Sequence, residues 1–102
     1  MDWYALSDPA VMAELGKRIK EIRLRKNVTQ KDLAFKAGIS LLSLQKLESG
    51  HSVTLSTFIR VVRMLRLLEN FDTLVPESTI SPVLLLKLKG RERHRAGKPS
   101  KK

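Results

Sequence analysis

The side chains able to do chemistry in this chain are amides, hydroxyls and cations, not nucleophiles or metal ligands. There is no cysteine, which removes disulfides, thiolate ligands and thiol catalysis together. Of the two histidines, His51 has only His94 to join it, so no metal site is expected. No Gly-rich phosphate loop and no nucleophile–base pair stands out, so neither a cofactor nor an enzymatic activity is expected. What remains is concentrated around 30–51, where Gln30, Ser40, Ser43, Gln45, Lys46 and His51 stand close together. Such groups suit hydrogen bonds to phosphates and base edges: Lys46 could donate to guanine, and Gln45 could read adenine or a phosphate.

The charge balance agrees with a polyanionic partner. Twenty Lys and Arg against ten Asp and Glu leave a formal net charge of +10 over 102 residues. That points to nucleic acid or an anionic membrane surface. The excess is uneven, with a net of +7 in residues 87–102, where Glu92 is the only acid, and +3 in residues 1–86. The longest apolar run, 83–86, is too short to span a bilayer and offers little area for surface binding. The first fifteen residues lack the basic start and apolar run of a signal peptide. The expected location is therefore the cytoplasm, on the nucleoid, with no membrane partner.

Helical periodicity dominates and nothing reads as a strand, so an all-α fold is expected. Ser7-Asp8-Pro9 predicts a helix start with Asp8 as N-cap and Pro9 at the first helical position. Met12, Leu15, Ile19 and Ile22 then recur at helical spacing up to a close at Asn27, and Trp3 and Tyr4 before them are expected to pack on the body. Thr29 caps the next helix, with Asp32 three residues on. Leu33, Ala34 and Ala37 form its apolar stripe, and Gly38 suits the left-handed residue that ends it. Ser40 caps a third helix running to about Glu48, terminated at Gly50. Thr54 or Ser56 opens a fourth, in which Leu55, Phe58, Ile59, Val62 and Leu65 are spaced for burial. A short helix over 68–74 ends before Pro76.

This divides the chain into a domain at 1–75 and an extension at 76–102. In the extension a polar linker, 77–81, leads to a helix start at Ser81-Pro82 and then the apolar run. Beyond it Gly90, Gly97 and Pro99 interrupt a basic tail whose composition predicts disorder in the free protein.

The segment 29–50, TQKDLAFKAGISLLSLQKLESG, places two short helices around a turn of about three residues that begins at Gly38. This is the helix-turn-helix plan. Small Ala34 lets the helices cross closely, while Ile39, Leu44 and Leu47 pin the second helix to the core. Ser40, Ser43, Leu44 and Leu47 share one face by spacing, so Leu41, Leu42, Gln45 and Lys46 look outward.

Over 15–74, most closely in LGKRIKEIRLRKNVTQKDLA and LQKLESG, the chain resembles the Xre family of lambda-repressor and Cro-like domains. The resemblance implies a five-helix bundle that inserts the 40–48 helix into the major groove. It further implies a phosphate contact for Gln30, an internal ion pair between Arg23 and Glu48 that braces the recognition helix, and a phosphate-facing loop starting at His51. Leu41 and Leu42 depart from the family, whose members usually carry polar residues there. Three roles stay open for them: contact with thymine methyl groups, packing on the turn or the N-terminal segment, and contact with a protein.

The extension resembles that of HipB-like antitoxins encoded beside HipA-type toxins, through its Ser-Pro start and Arg-rich end. It can act as a DNA arm using Arg91, Arg93, Arg95 and Lys98, or as a segment, 83–88, that folds on a toxin or a second protomer; a plain solvated tail is the third reading. The expected function is a sequence-specific DNA-binding regulator, a homodimeric repressor and, through the tail, an autoregulating antitoxin. Its partners would be operator DNA, a second copy and a HipA-like toxin. Leu67, Leu68, Phe71, Leu74 and Val75 offer a dimer surface, unless they simply close the core. The alternative is a protein-interaction module that keeps the helix-turn-helix as a scaffold.

Overall fold

Each of the four main helices begins at a hydroxyl that accepts a backbone N–H three residues on: Ser7 from Ala10, Thr29 from Asp32, Ser40 from Ser43 and Thr54 from Thr57. Such caps satisfy donors that a helix cannot pair internally. The computed structural model describes residues 1–78, 83 and 86–89. After a 3-10 turn at Trp3–Ala5 come α1 (Asp8–Arg25), α2 (Gln30–Ala37), α3 (Leu41–Glu48) and α4 (Leu55–Met64). A second 3-10 turn, Leu68–Asn70, leads into the single turn of α5 (Phe71–Leu74). Residues 83 and 86–89 are helical as well, and no strand occurs among the described residues. The all-helical class and the five-helix domain follow the expectation.

One boundary differs. Ser7, not Asp8, caps α1, with its Oγ 3.3 Å from the Ala10 N–H. Asp8 therefore lies in the first turn, where its charge favours the positive end of the helix dipole, and Pro9 follows within that turn.

The helix ends rely on left-handed residues. Gly38 after α2 and Gly50 after α3 have φ of 72° and 86°, and Asn27 (58°) and Arg66 (64°) do the same after α1 and α4. At Gly38 an added Cβ would also lie 3.0 Å from Arg60 Nη1. Gly38→Ala is therefore expected to lower stability by about 1–2 kcal/mol, the cost of a left-handed Cβ. Urea unfolding of the two proteins measures it, and an unchanged midpoint would remove Gly38 from this role.

Leu44, Val61 and Leu65 form the centre of the core, with Ile19, Leu33, Ala34 and Leu47 around them. On α4 the expected stripe is corrected. Leu55 is 71% exposed, whereas Val61 is fully buried. Phe58, Val62 and Leu65 fit either choice of buried face, and packing settles on the 61–62–65 side. Leu55 instead lies on the rim of a groove against α1.

Helix α1 crosses the end of α3 almost backbone to backbone. A Cβ on Gly16 would run into the Leu47 carbonyl oxygen and come within 2.8 Å of the Glu48 carbonyl oxygen. A Cβ on Gly50 would meet the Ala13 Cα at 2.8 Å. Before α1, Trp3 packs as expected, with the Arg18 guanidinium 4.8 Å from its ring centroid, but Tyr4 is fully exposed. Adjacent side chains in a turn of three residues point about 120° apart, so the two rings cannot share one face. Arg18 also donates to Glu14, and this hydrogen bond holds the Glu14 carboxyl below its ordinary range.

Candidate nucleic-acid interface

The inner face of the α2–turn–α3 unit is anchored by Ala34, Leu44 and Leu47, which are 3%, 0% and 7% exposed. That burial fixes what α3 turns outward. Gln45 and Lys46 are exposed, and so is His51 in the following loop. Leu42 is 61% exposed and Leu41 39%. Packing within the chain therefore leaves most of Leu42 uncovered. Ser40 and Ser43 play a different part: the Ser40 hydroxyl accepts the Ser43 N–H at 3.0 Å and donates to Ser43 Oγ at 2.9 Å. Both hydroxyls are used in fixing the start of α3.

Behind α3 sits a buried polar network. Arg23 Nε and Nη2 donate to the two oxygens of Glu48 at 2.6 and 3.0 Å, and Nη1 donates to the Val28 carbonyl at 2.8 Å. The two-point fit of guanidinium to carboxylate fixes orientation as well as distance. Gln30 Nε2 donates to Glu48 Oε1 at 2.9 Å. Thus α1, α2 and α3 are tied through one carboxylate, and Arg23 holds the α1–α2 loop as well. The internal pair of Arg23 and Glu48 is present as the resemblance implied. Gln30 carries an additional duty that the sequence did not disclose: one amide N–H is held by Glu48. Its second N–H and its carbonyl oxygen have no protein partner among the described residues.

Two contributors were not visible in the motif. Gly16 sets the approach of α1 to α3; its signal was a glycine in a helix interior, a cost of about 1 kcal/mol that close packing must offset. Ser49 carries no comparable signal. Its Oγ donates to the Gln45 carbonyl at 2.7 Å and lies 3.1 Å from His51 Nδ1, steering the loop that follows α3.

The residues expected at a dimer surface separate into two groups. Leu67, Leu68 and Phe71 are half-buried: Leu67 packs on the core and the Phe71 ring centroid lies 6.4 Å from that of Phe58. Leu74 and Val75 are 70% and 74% exposed. Arg91, Arg93, Arg95 and Lys98 lie outside the described residues. Among the described residues no cluster of metal-ligating side chains occurs, and no helix is long and apolar enough to cross a membrane.

A capped α2, a left-handed glycine, a pinned α3 and an outward face with exposed polar groups define a helix-turn-helix domain. A family model described as Helix-turn-helix matches residues 19–68, and this domain belongs to that family, in its Xre and lambda-repressor-like form. The family is one of DNA-binding regulators of transcription and is not typically enzymatic. No curated protein matches the chain significantly.

Proposed function

We propose that the protein is a homodimeric repressor that binds operator DNA with α3 in the major groove. The observation that carries this reading is the combination of exposed Gln45 and Lys46 on α3 with the buried Arg23–Glu48–Gln30 network behind it. A rigid frame and free polar side chains are what base readout needs. Gln45 and Lys46 address base edges, and Leu41 and Leu42 supply apolar contact to thymine methyl groups. Gln30, through its uncommitted amide atoms, and His51 meet phosphates on either side, while Ser40 and Ser43 act by holding the helix start. A twofold pair of such domains reads half-sites about one helical turn apart. The exposed Leu74 and Val75 are candidates for joining the pair. The tail arginines Arg91, Arg93 and Arg95, with Lys98, add phosphate neutralisation, and an antitoxin role rests on the likeness of this extension to HipB-like proteins.

Footprinting on the DNA upstream of the gene tests the reading. Affinity should fall linearly with the logarithm of salt concentration. Lys46→Glu should weaken binding by about 100-fold or more, since a base or phosphate partner is lost and repulsion gained. Absence of binding at low salt would end the repressor reading. One observation favours the second reading, a protein-interaction module: Leu42 is exposed where a polar reader is usual. Leu42→Ala leaving DNA affinity intact while abolishing a protein contact would favour it.

A further inference from the structure

Two apolar grooves of about 270 and 190 Å³ lie between α1 and α4, the first reaching the loop before α4, and adjoin at Leu15 and Phe58; together they make up a trough-like face. Met12 and Leu55 border one end, and Leu67 and Phe71 the other. Leu15 and Leu55 remain 37% and 71% exposed. Open apolar surface of this kind marks a contact site. The same chain carries a second uncovered apolar element. Val83 and Leu86 are helical, three residues apart and therefore on one face, and 65% and 70% exposed. The sequence of 83–88 is VLLLKL.

We propose that the segment 83–88 of one copy seats in the α1–α4 trough of a second copy, and reciprocally. The proposal rests on the homodimer of the preceding reading and names what holds it together. The occupant is a second copy for three reasons. Within one chain Val83 and Leu86 stay exposed, so the chain's own trough does not cover them. Charge is complementary at the Met12 end of the trough: residues 1–16 contain Asp2 and Asp8 besides Glu14, which is paired with Arg18 of the trough wall, and no Lys or Arg, whereas 87–102 carry a net +7. The acidic stretch includes Met12 and Leu15 of the trough wall, so a basic tail leaving the seated segment runs beside opposite charge. The connection is long: the eight residues 75–82 between Leu74 and Val83 span up to about 26–29 Å when extended.

The test uses full-length protein without DNA, with mass followed by light scattering or sedimentation across concentration. Leu55→Asp and Leu86→Asp both change exposed side chains, so circular dichroism should match the parent, and melting should match it at concentrations too low for dimers. The parent is expected to be a dimer. Each variant should dimerise about 100-fold more weakly, because a carboxylate would have to enter an apolar trough. Mixing the two variants should restore dimers in part, since one intact segment then meets one intact trough. A dimer that tolerates Leu86→Asp, or a mixture that fails to recover, overturns the exchange while leaving the homodimer standing on another surface. A parent that is monomeric at every concentration overturns the exchange and the homodimer together. DNA binding, read separately through Lys46→Glu, is untouched by either result.

Discussion

Glu48→Ala is expected to cost about 3–5 kcal/mol, the usual loss when one member of a buried ion pair is removed. The magnitude follows from what the substitution leaves behind. Glu48 accepts three N–H groups, two from Arg23 and one from Gln30, with both charged partners under 10% exposed. Without the carboxylate, the Arg23 guanidinium keeps only the Val28 carbonyl and has no counter-charge. A domain of this size holds on the order of 5–15 kcal/mol in total, so the variant sits near the unfolding margin. Thermal or urea unfolding reads the loss directly. The paired change Arg23→Met with Glu48→Leu should recover most of it, because a well-packed apolar pair of similar volume is often as stable as a buried ion pair. A loss below about 1 kcal/mol for Glu48→Ala would contradict the value assigned to burial of this pair.

The second large effect is expected at Gly16, where helix propensity and packing act in opposite directions. In an isolated helix Gly16→Ala would gain about 1 kcal/mol. Here the new methyl meets the Leu47 and Glu48 carbonyl oxygens, which are backbone and cannot swing aside as a side chain would. Helix α1 must then move off the last turn of α3, straining the adjoining Gly50–Ala13 approach and the ion pair of Arg23, about two turns further along α1. Overpacking of this kind costs about 1–3 kcal/mol, occasionally more, and exceeds the propensity gain. Gly16→Leu, with a side chain too large for any small shift, should leave no cooperative unfolding transition. The comparison with Gly16→Ala separates clash from propensity. If Gly16→Ala melts higher than the parent, α1 and α3 do not meet as described.

The helix-turn-helix frame was legible because its determinants are local. Thr29, Ser40 and Thr54 cap from three residues away, and Gly38 supplies a left-handed φ that a side chain resists. On α4 the same periodic reasoning was insufficient: Phe58, Val62 and Leu65 satisfy two buried faces, and Val61 rather than Leu55 took the core once α4 met its neighbours. Leu67 and Phe71 were equally ambiguous between core and surface until the Phe58 ring and the core beneath them were in place.

The sequence by itself determined the helices, the caps of α2 and α3, the turn and the outward set Leu41, Leu42, Gln45 and Lys46, because contacts within about four residues decide them. Only the tertiary structure decided how tightly α1 approaches α3 at Gly16 and which polar groups are spent internally. Gln30 and Glu48 are 18 residues apart in sequence, and Arg23 and Glu48 are 25. No periodicity encodes a bond of that range. It exists because burial of Ile19, Leu44 and Leu47 brings two helices together and leaves these charges no water to turn to.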